Sequence, residues 1–237
     1  MVDLYYQQNL DSSRLGVPTC GSGPAGLSAL YSATRGAGWA TNTKWMVGDP
    51  CTNNWYGVTC AALEEGGKRI TGFDVSSNGL VGTLPTEIGL LTAVTYEVYM
   101  NGNSLKGSLP SEIGSMTAMS SYMYFQYSSL NGTLPTELGR LSVLKTYLYA
   151  GSNSFSGSVP TEFGAMTGLL NYIHLQSNQL TGSLPSELGQ TSMNYQIFLY
   201  ENDFNCSRTW SEGMVDLYYQ QNLDSSRLGV PTCGSGP

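Results

Sequence analysis

The chain has 237 residues, 41% apolar and 11% charged, with a formal charge of -7; this is enough apolar material for one folded domain and excludes a disordered chain. Its ten Lys and Arg residues are scattered, so there is no basic stripe to grip a phosphate backbone and no nucleic-acid partner is expected. No apolar run approaches the roughly 20 residues of a membrane span, and MVDLYYQQNL lacks the regions of a signal peptide, so a secreted form is expected to have lost its leader.

Residues 1–24, MVDLYYQQNLDSSRLGVPTCGSGP, recur without a change at 214–237. An ancient duplication would have drifted, so two explanations stay open: the chain samples a tandem or end-to-end polymer of 213-residue units, or the copy has a trivial origin. The five cysteines favour the polymer. Residues 25–237 hold four of them, which can close as Cys51 with Cys60 and Cys206 with Cys233. Cys20 is then the counterpart of Cys233, and its mate is the Cys206 equivalent of a neighbouring unit. Residues 1–24 are accordingly assigned to the C-terminal cap of a preceding unit. None of the cysteine spacings is CxxC and His174 is the single histidine, so neither a metal nor another cofactor is expected. Disulfides place the protein in an oxidising, extracellular compartment, secreted or at the cell surface.

From residue 25 the stretch AGLSALYSATRGAGW spaces Leu27, Leu30 and Tyr31 as on an amphipathic helix that breaks at Gly36 and Gly38. Trp39, Trp45 and Trp55 then flank the step from Cys51 to Cys60. The segment 25–69 reads as an apolar lid for the open end of a stack, with sugar binding by the Trp cluster as the weaker alternative.

Residues 70–204 are repetitive. GTLPTEIG at Gly82 returns as GSLPSEIG, GTLPTELG, GSVPTEFG and GSLPSELG at Gly107, Gly132, Gly157 and Gly182, a period of 25 that indicates about six solenoid turns, the last of 24 residues. Four residues ahead of these glycines stand Asn78, Asn103, Ser128, Asn153 and Asn178, with Asn202 closing the series. Buried amides there can bond the backbone of the adjacent turn, and Ser128, too short for the full set, is expected to be the weakest rung.

Five and three residues before this position lie pairs such as Phe73 and Val75, Met123 and Phe125, Ile173 and Leu175, the alternation of a strand with one buried face. Inside each phrase a proline and then Ser or Thr with Glu open a helical turn, expected to end at the next glycine, and place Glu87, Glu112, Glu137, Glu162 and Glu187 where negative charge is favoured. A calcium-binding stripe is the weaker reading of these glutamates. After Leu199 the pattern gives way to YENDFNCSRTW and a C-terminal cap, 205–237. Two glycosylation sequons begin at Asn131 and Asn205.

The helix, the GDPC step, the WYGVTC ending and KRITGFDVSSNGLVGTLP together resemble the N-terminal cap and first repeat of plant-type extracellular leucine-rich repeat proteins, which include receptor ectodomains and polygalacturonase inhibitors. The likeness covers residues 25–206. It implies an α/β solenoid, a leucine-rich repeat right-handed superhelix with a parallel β-sheet on its concave face and disulfide-stapled N- and C-terminal caps. The usual period of the family is 24, and the additional residue lies before the strand, where Val94, Met119, Leu144 and Leu169 stand four residues ahead of the next inward position and the family pattern has three, which leaves the facing of Tyr96 and Tyr195 open.

In such solenoids the outward strand positions carry function. Here they read Tyr99, Tyr124, Tyr149, His174 and Phe198 in one row and Tyr122, Tyr147 and Tyr172 in a second. A stripe this wide and this poor in charge suits an interface core with another extracellular protein or another copy of the chain, while ring stabilisation of the sheet alone, or carbohydrate binding, stay open. Paired hydroxyls, such as Thr83 with Thr86 and Ser108 with Ser111, raise ice binding, but they mix Ser with Thr and are ordinary residues of the phrase. No nucleophile is paired with a base, and the glutamates recur at the solenoid period without converging, so catalytic residues are not expected. The functional expectation is a non-catalytic structural or interaction module, a unit of an extracellular polymer or filament, with a ligand-recognition ectodomain or inhibitor as the alternative.

Overall fold

The computed structural model describes residues 23–64, 66–169, 171–185, 187–190 and 196–204. Cys20, Cys206, Cys233, Asn205, Tyr195 and nearly all of both duplicated segments lie outside them. The helix expected in the cap is α1, Gly23–Ala33, with Leu27 and Leu30 buried. It stops before the glycines: Arg35 turns left-handed at φ 57° and Gly36–Gly38 form a single 3-10 turn. A second short helix, Pro50–Asn53, is capped by Asp49, whose carboxylate accepts from the N–H groups of Cys51 and Thr52. Cys51 and Cys60 are joined by a disulfide, as the cysteine arithmetic allowed.

Strand β1 (Val58–Ala62) pairs antiparallel with β2 (Lys68–Asp74). From there the sheet grows in parallel, one strand per repeat, through β4 (Glu97–Tyr99), β6 (Tyr122–Tyr124), β8 (Tyr147–Tyr149), β10 (Tyr172–His174) and β12 (Gln196–Phe198). A second parallel sheet, which the sequence pattern did not reveal, runs beside it. Its strands are β3 (Val81–Thr83), β5 (Ser104–Gly107), β7 (Ser129–Thr133), β9 (Ser154–Gly157), β11 (Gln179–Gly182) and β13 (Asp203–Phe204). Each repeat passes from one sheet to the other through a left-handed residue, at Ser77, Gly102, Tyr127, Ser152, Ser177 and Glu201.

The phrase then closes the repeat with a 3-10 turn that begins after its proline, as at Thr86–Leu90 and Ser111–Ser115. The glutamates do lie in the first turn. The following glycine, expected to end the turn, sits inside it instead. A Cβ on Gly89 would come within 2.6 Å of the Glu112 carbonyl oxygen, and one on Gly114 within 2.3 Å of that of Glu137, so these glycines let successive turns stack.

The inward strand residues behave as the alternation requires: Phe73, Val75, Met123, Phe125, Ile173 and Leu175 are wholly enclosed, in one core that runs from Leu27 to Leu199. Burying each such side chain contributes about 1.5–3 kcal/mol, so a stack holds where a single repeat would not. The additional residue of the 25-residue period is absorbed where the chain enters the open sheet. Val94 is buried and its N–H bonds back to Leu91, while the N–H groups of Thr95 and Tyr96 both donate to the Thr71 carbonyl at 3.0 Å. At the following repeats the donors have separate acceptors, as with Ser120 on Thr95 and Tyr122 on Tyr96, and the parallel register runs from Glu97 onward.

Candidate functional site: an aromatic ladder on the seven-stranded sheet

Parallel pairing in register makes every strand position a column across the sheet. Asp74, Tyr99, Tyr124, Tyr149, His174 and Phe198 are direct partners along one column, and Gly72, Glu97, Tyr122, Tyr147 and Tyr172 along the next. Every ring anticipated from the sequence is therefore in one array. In the first column Tyr99, Tyr124 and Tyr149 stack with centroids 4.7 and 4.6 Å apart; His174 stands edge-on to Tyr149 and stacks on Phe198 at 4.3 Å. In the second, Tyr122, Tyr147 and Tyr172 stack at 5.6 and 5.5 Å. Rings on the same strand are steeply inclined to each other, by 72° for Tyr122 and Tyr124 and 59° for Tyr147 and Tyr149.

Tyr96, whose direction was left open, joins the array. It is 52% exposed and meets the Tyr122 ring edge-on at 5.7 Å. Tyr127, which the sequence reading passed over, is 66% exposed and held at φ 56°, a left-handed conformation uncommon for a bulky side chain. Its signal was positional: it stands in the column of Ser77, Gly102 and Ser152.

The rings of both columns are half-buried, yet none of the tyrosine hydroxyls bonds another group among the described residues, and none is enclosed. Burial, followed by the nearby Glu97 charge, pushes the Tyr99 phenol up to about 12. Burial and the neighbouring phenols raise Tyr124 and Tyr149 in the same direction. Burial lowers His174 to about 4, against a smaller opposing effect of Gln176. The phenols of Tyr99, Tyr124 and Tyr149 and the imidazole of His174 are thus uncharged near neutral pH, and a neutral phenol can donate as well as accept a hydrogen bond. Carboxylates occur at its N-terminal end, where Asp74 accepts from Ser76 and Glu97 from the Thr59 hydroxyl.

Beneath the array runs the asparagine ladder. The Asn103 amide donates to Val75 and Met100 and accepts from the N–H groups of Asn78 and Leu80. Asn153, Asn178 and Asn202 accept from Leu130, Phe155 and Leu180 and donate to carbonyls of their own and the preceding turn. Asn78 has no preceding turn and bonds the Thr41 N–H and carbonyl of the cap. At Ser128 the rung is missing: its hydroxyl is buried without a partner.

The Trp cluster of the cap is closed. Trp39, Trp45 and Trp55 are 2–5% exposed, and their indole N–H groups donate to Thr34, Tyr56 and Val47. Packing is its role, and no ring face is left for a sugar. Of the hydroxyl pairs, Thr86, Ser111, Thr136 and Thr161 donate to the adjoining glutamates, so half of each of these pairs serves the turn. Asn131 is exposed on β7, on the sheet away from the rings.

A stack of 25-residue turns with two parallel sheets, an asparagine ladder and a stapled cap gives this chain the leucine-rich repeat solenoid fold, consistent with the plant extracellular family it resembles. Residues 169–191 match the family model of the Leucine Rich Repeat. No curated protein sequence matches the chain. Among solved structures, it is similar to the PEPR1–AtPEP1 crystal structure, with TM-score 0.66 and 22% identity over 77% of this chain and 25% of that one. A plant ice-binding protein gives TM-score 0.67 and 23% identity over 77% of this chain and 56% of that one. The BIR2 ectodomain from Arabidopsis thaliana gives TM-score 0.64 and 21% identity over 80% and 96% of the two chains. The chain spans a quarter of the length of the first and somewhat over half of the second.

Proposed function

We propose that the chain is a non-catalytic extracellular module that binds a protein partner through the aromatic ladder. The observation that carries this is the state of the tyrosine hydroxyls: six phenols in two packed columns, none of whose hydroxyls bonds another group among the described residues. Rings needed only to stabilise a sheet have no use for such a set, whereas a wide aromatic surface without charge is what interface cores are made of. Close stacking covers the ring faces of Tyr124 on both sides, which argues against the flat sugar contact that carbohydrate recognition uses. The disulfide supports an oxidising compartment, and a glycan on Asn131 would sit on the other sheet and leave the ladder free.

The test is capture. Tyr124→Ala combined with Tyr149→Ala should keep the fold, checked by circular dichroism, and lose at least tenfold in partner retention from extracellular material of the source. Undiminished retention by the folded double variant would overturn the proposal.

A second reading makes the module one unit of a tandem chain or filament in which other copies are the partners. The unaltered 24-residue copy favours it. Mass analysis of the native material under reducing, denaturing conditions decides it. Masses at multiples of a unit would support the tandem chain, and a single 25.5 kDa species would remove it.

A further inference from the structure

Resting on the reading of the ladder as a protein-binding surface, we infer that its occupant is a proline-rich segment in the polyproline II conformation, lying along the solenoid axis across the strands.

The first argument is hydrogen-bond chemistry. Tyr99, Tyr122, Tyr124, Tyr147, Tyr149 and Tyr172 present hydroxyls with no partner among the described residues, and beyond Glu97 the paired strand positions as far as Phe198 carry no charged side chain. Each phenol can donate to a ligand carbonyl, so a ligand with many free carbonyls suits this surface. A proline residue offers a carbonyl and has no N–H, and a polyproline II helix makes no internal hydrogen bonds, so its carbonyls are free.

The second argument is spacing. Successive rungs of the first column are 4.7 and 4.6 Å apart. Every second rung therefore recurs within a few tenths of an ångström of the ~9.3 Å turn of a polyproline II helix, three residues at ~3.1 Å. A carbonyl of such a helix that meets Tyr99 finds its equivalent, one turn on, at Tyr149. The third argument is shape. The two columns lie 6.0 Å apart at Tyr122 and Tyr124 and 5.4 Å apart at Tyr147 and Tyr149, their rings inclined by 72° and 59°, so they line the seat from two directions with apolar carbon. Pyrrolidine rings pack on such edges, and a helix that is already stiff loses little entropy on binding.

The experiment titrates the full chain into a fluorescein-labelled all-proline nonapeptide and, separately, into a labelled Gly-Ser nonapeptide of the same length, followed by anisotropy. The proline peptide should bind at least tenfold more tightly. Tyr124→Phe with Tyr149→Phe, which keeps both rings and removes two donors, should weaken the proline peptide about tenfold with the thermal midpoint little changed. Equal binding of the two peptides, or an unchanged affinity for the proline peptide in the Phe pair, overturns the inference; so does binding of labelled cellohexaose with none of the proline peptide. Failure here is distinct from failure of the broader reading. If the proline peptide does not bind but the Ala pair still loses the natural partner, only this inference falls; if the Ala pair retains the partner, both fall.

Discussion

Two aromatic clusters sit on this solenoid, and they differ in what their polar atoms do. In the cap, Tyr31, Trp39, Trp45 and Trp55 pack at 4.8 to 5.8 Å, the three indoles are buried, and each indole N–H ends on a carbonyl. On the seven-stranded sheet the rings are packed just as closely, but none of their hydroxyls bonds another group among the described residues. A closed polar inventory marks a cluster that serves the fold; an open one marks a cluster able to exchange water for a partner.

The sharpest way to break that contrast is at the cap. Trp55→Ala should cost about 3–5 kcal/mol by opening a cavity in the cluster, read as a fall in the thermal midpoint, while capture per folded molecule is unchanged. If capture falls with it, the two clusters are not separable.

A smaller loss is expected from Asn153→Ala, which leaves the Leu130 N–H and the Phe125 and Ala150 carbonyls without its amide. About 2 kcal/mol should be lost in denaturant unfolding. The ladder above should keep its partner, since no ring is touched.

His174 tests whether burial of the ladder contributes to stability. Its imidazole is neutral in the fold down to about pH 4, against an ordinary value of 6.5. Above pH 6.5 it is neutral in both states and the full stability is present. As pH falls below 6.5 the unfolded chain takes up a proton that the folded chain excludes, so stability declines until about pH 4. His174→Phe should flatten the decline between pH 6.5 and 5; a midpoint that falls equally in both proteins would assign it to other groups.

The smallest effect is a gain. Ser128→Asn restores the missing rung and should add about 1 kcal/mol, read as a higher thermal midpoint with unchanged capture.

Much of the architecture was legible because the repeat is self-referential. Once the Asn103 column was aligned, every inward residue from Phe73 to Leu199 fell into place by alternation, and the outward rings followed from the same count. The second sheet was not legible. Its strands are three to five residues long apart from the two-residue β13, and Ser104, Ser129 and Gln179 with their neighbours carry no apolar alternation beyond a single leucine. Gly89 misled for a related reason, since a glycine that ends a turn and one that permits close stacking look alike in a sequence.

By itself the sequence determined the period, the identity of the core residues and the two columns in which the rings stand. These are consequences of a side-chain alternation of two within a strand and of identical turns stacked on one another. Only the tertiary structure decided that Tyr96 joins the array, that the Ser128 hydroxyl is stranded, that the faces of Tyr124 are covered and that the phenol hydroxyls bond no other group among the described residues. Each of these depends on distances between residues some 25 apart, and such contacts exist only when the turns are in place.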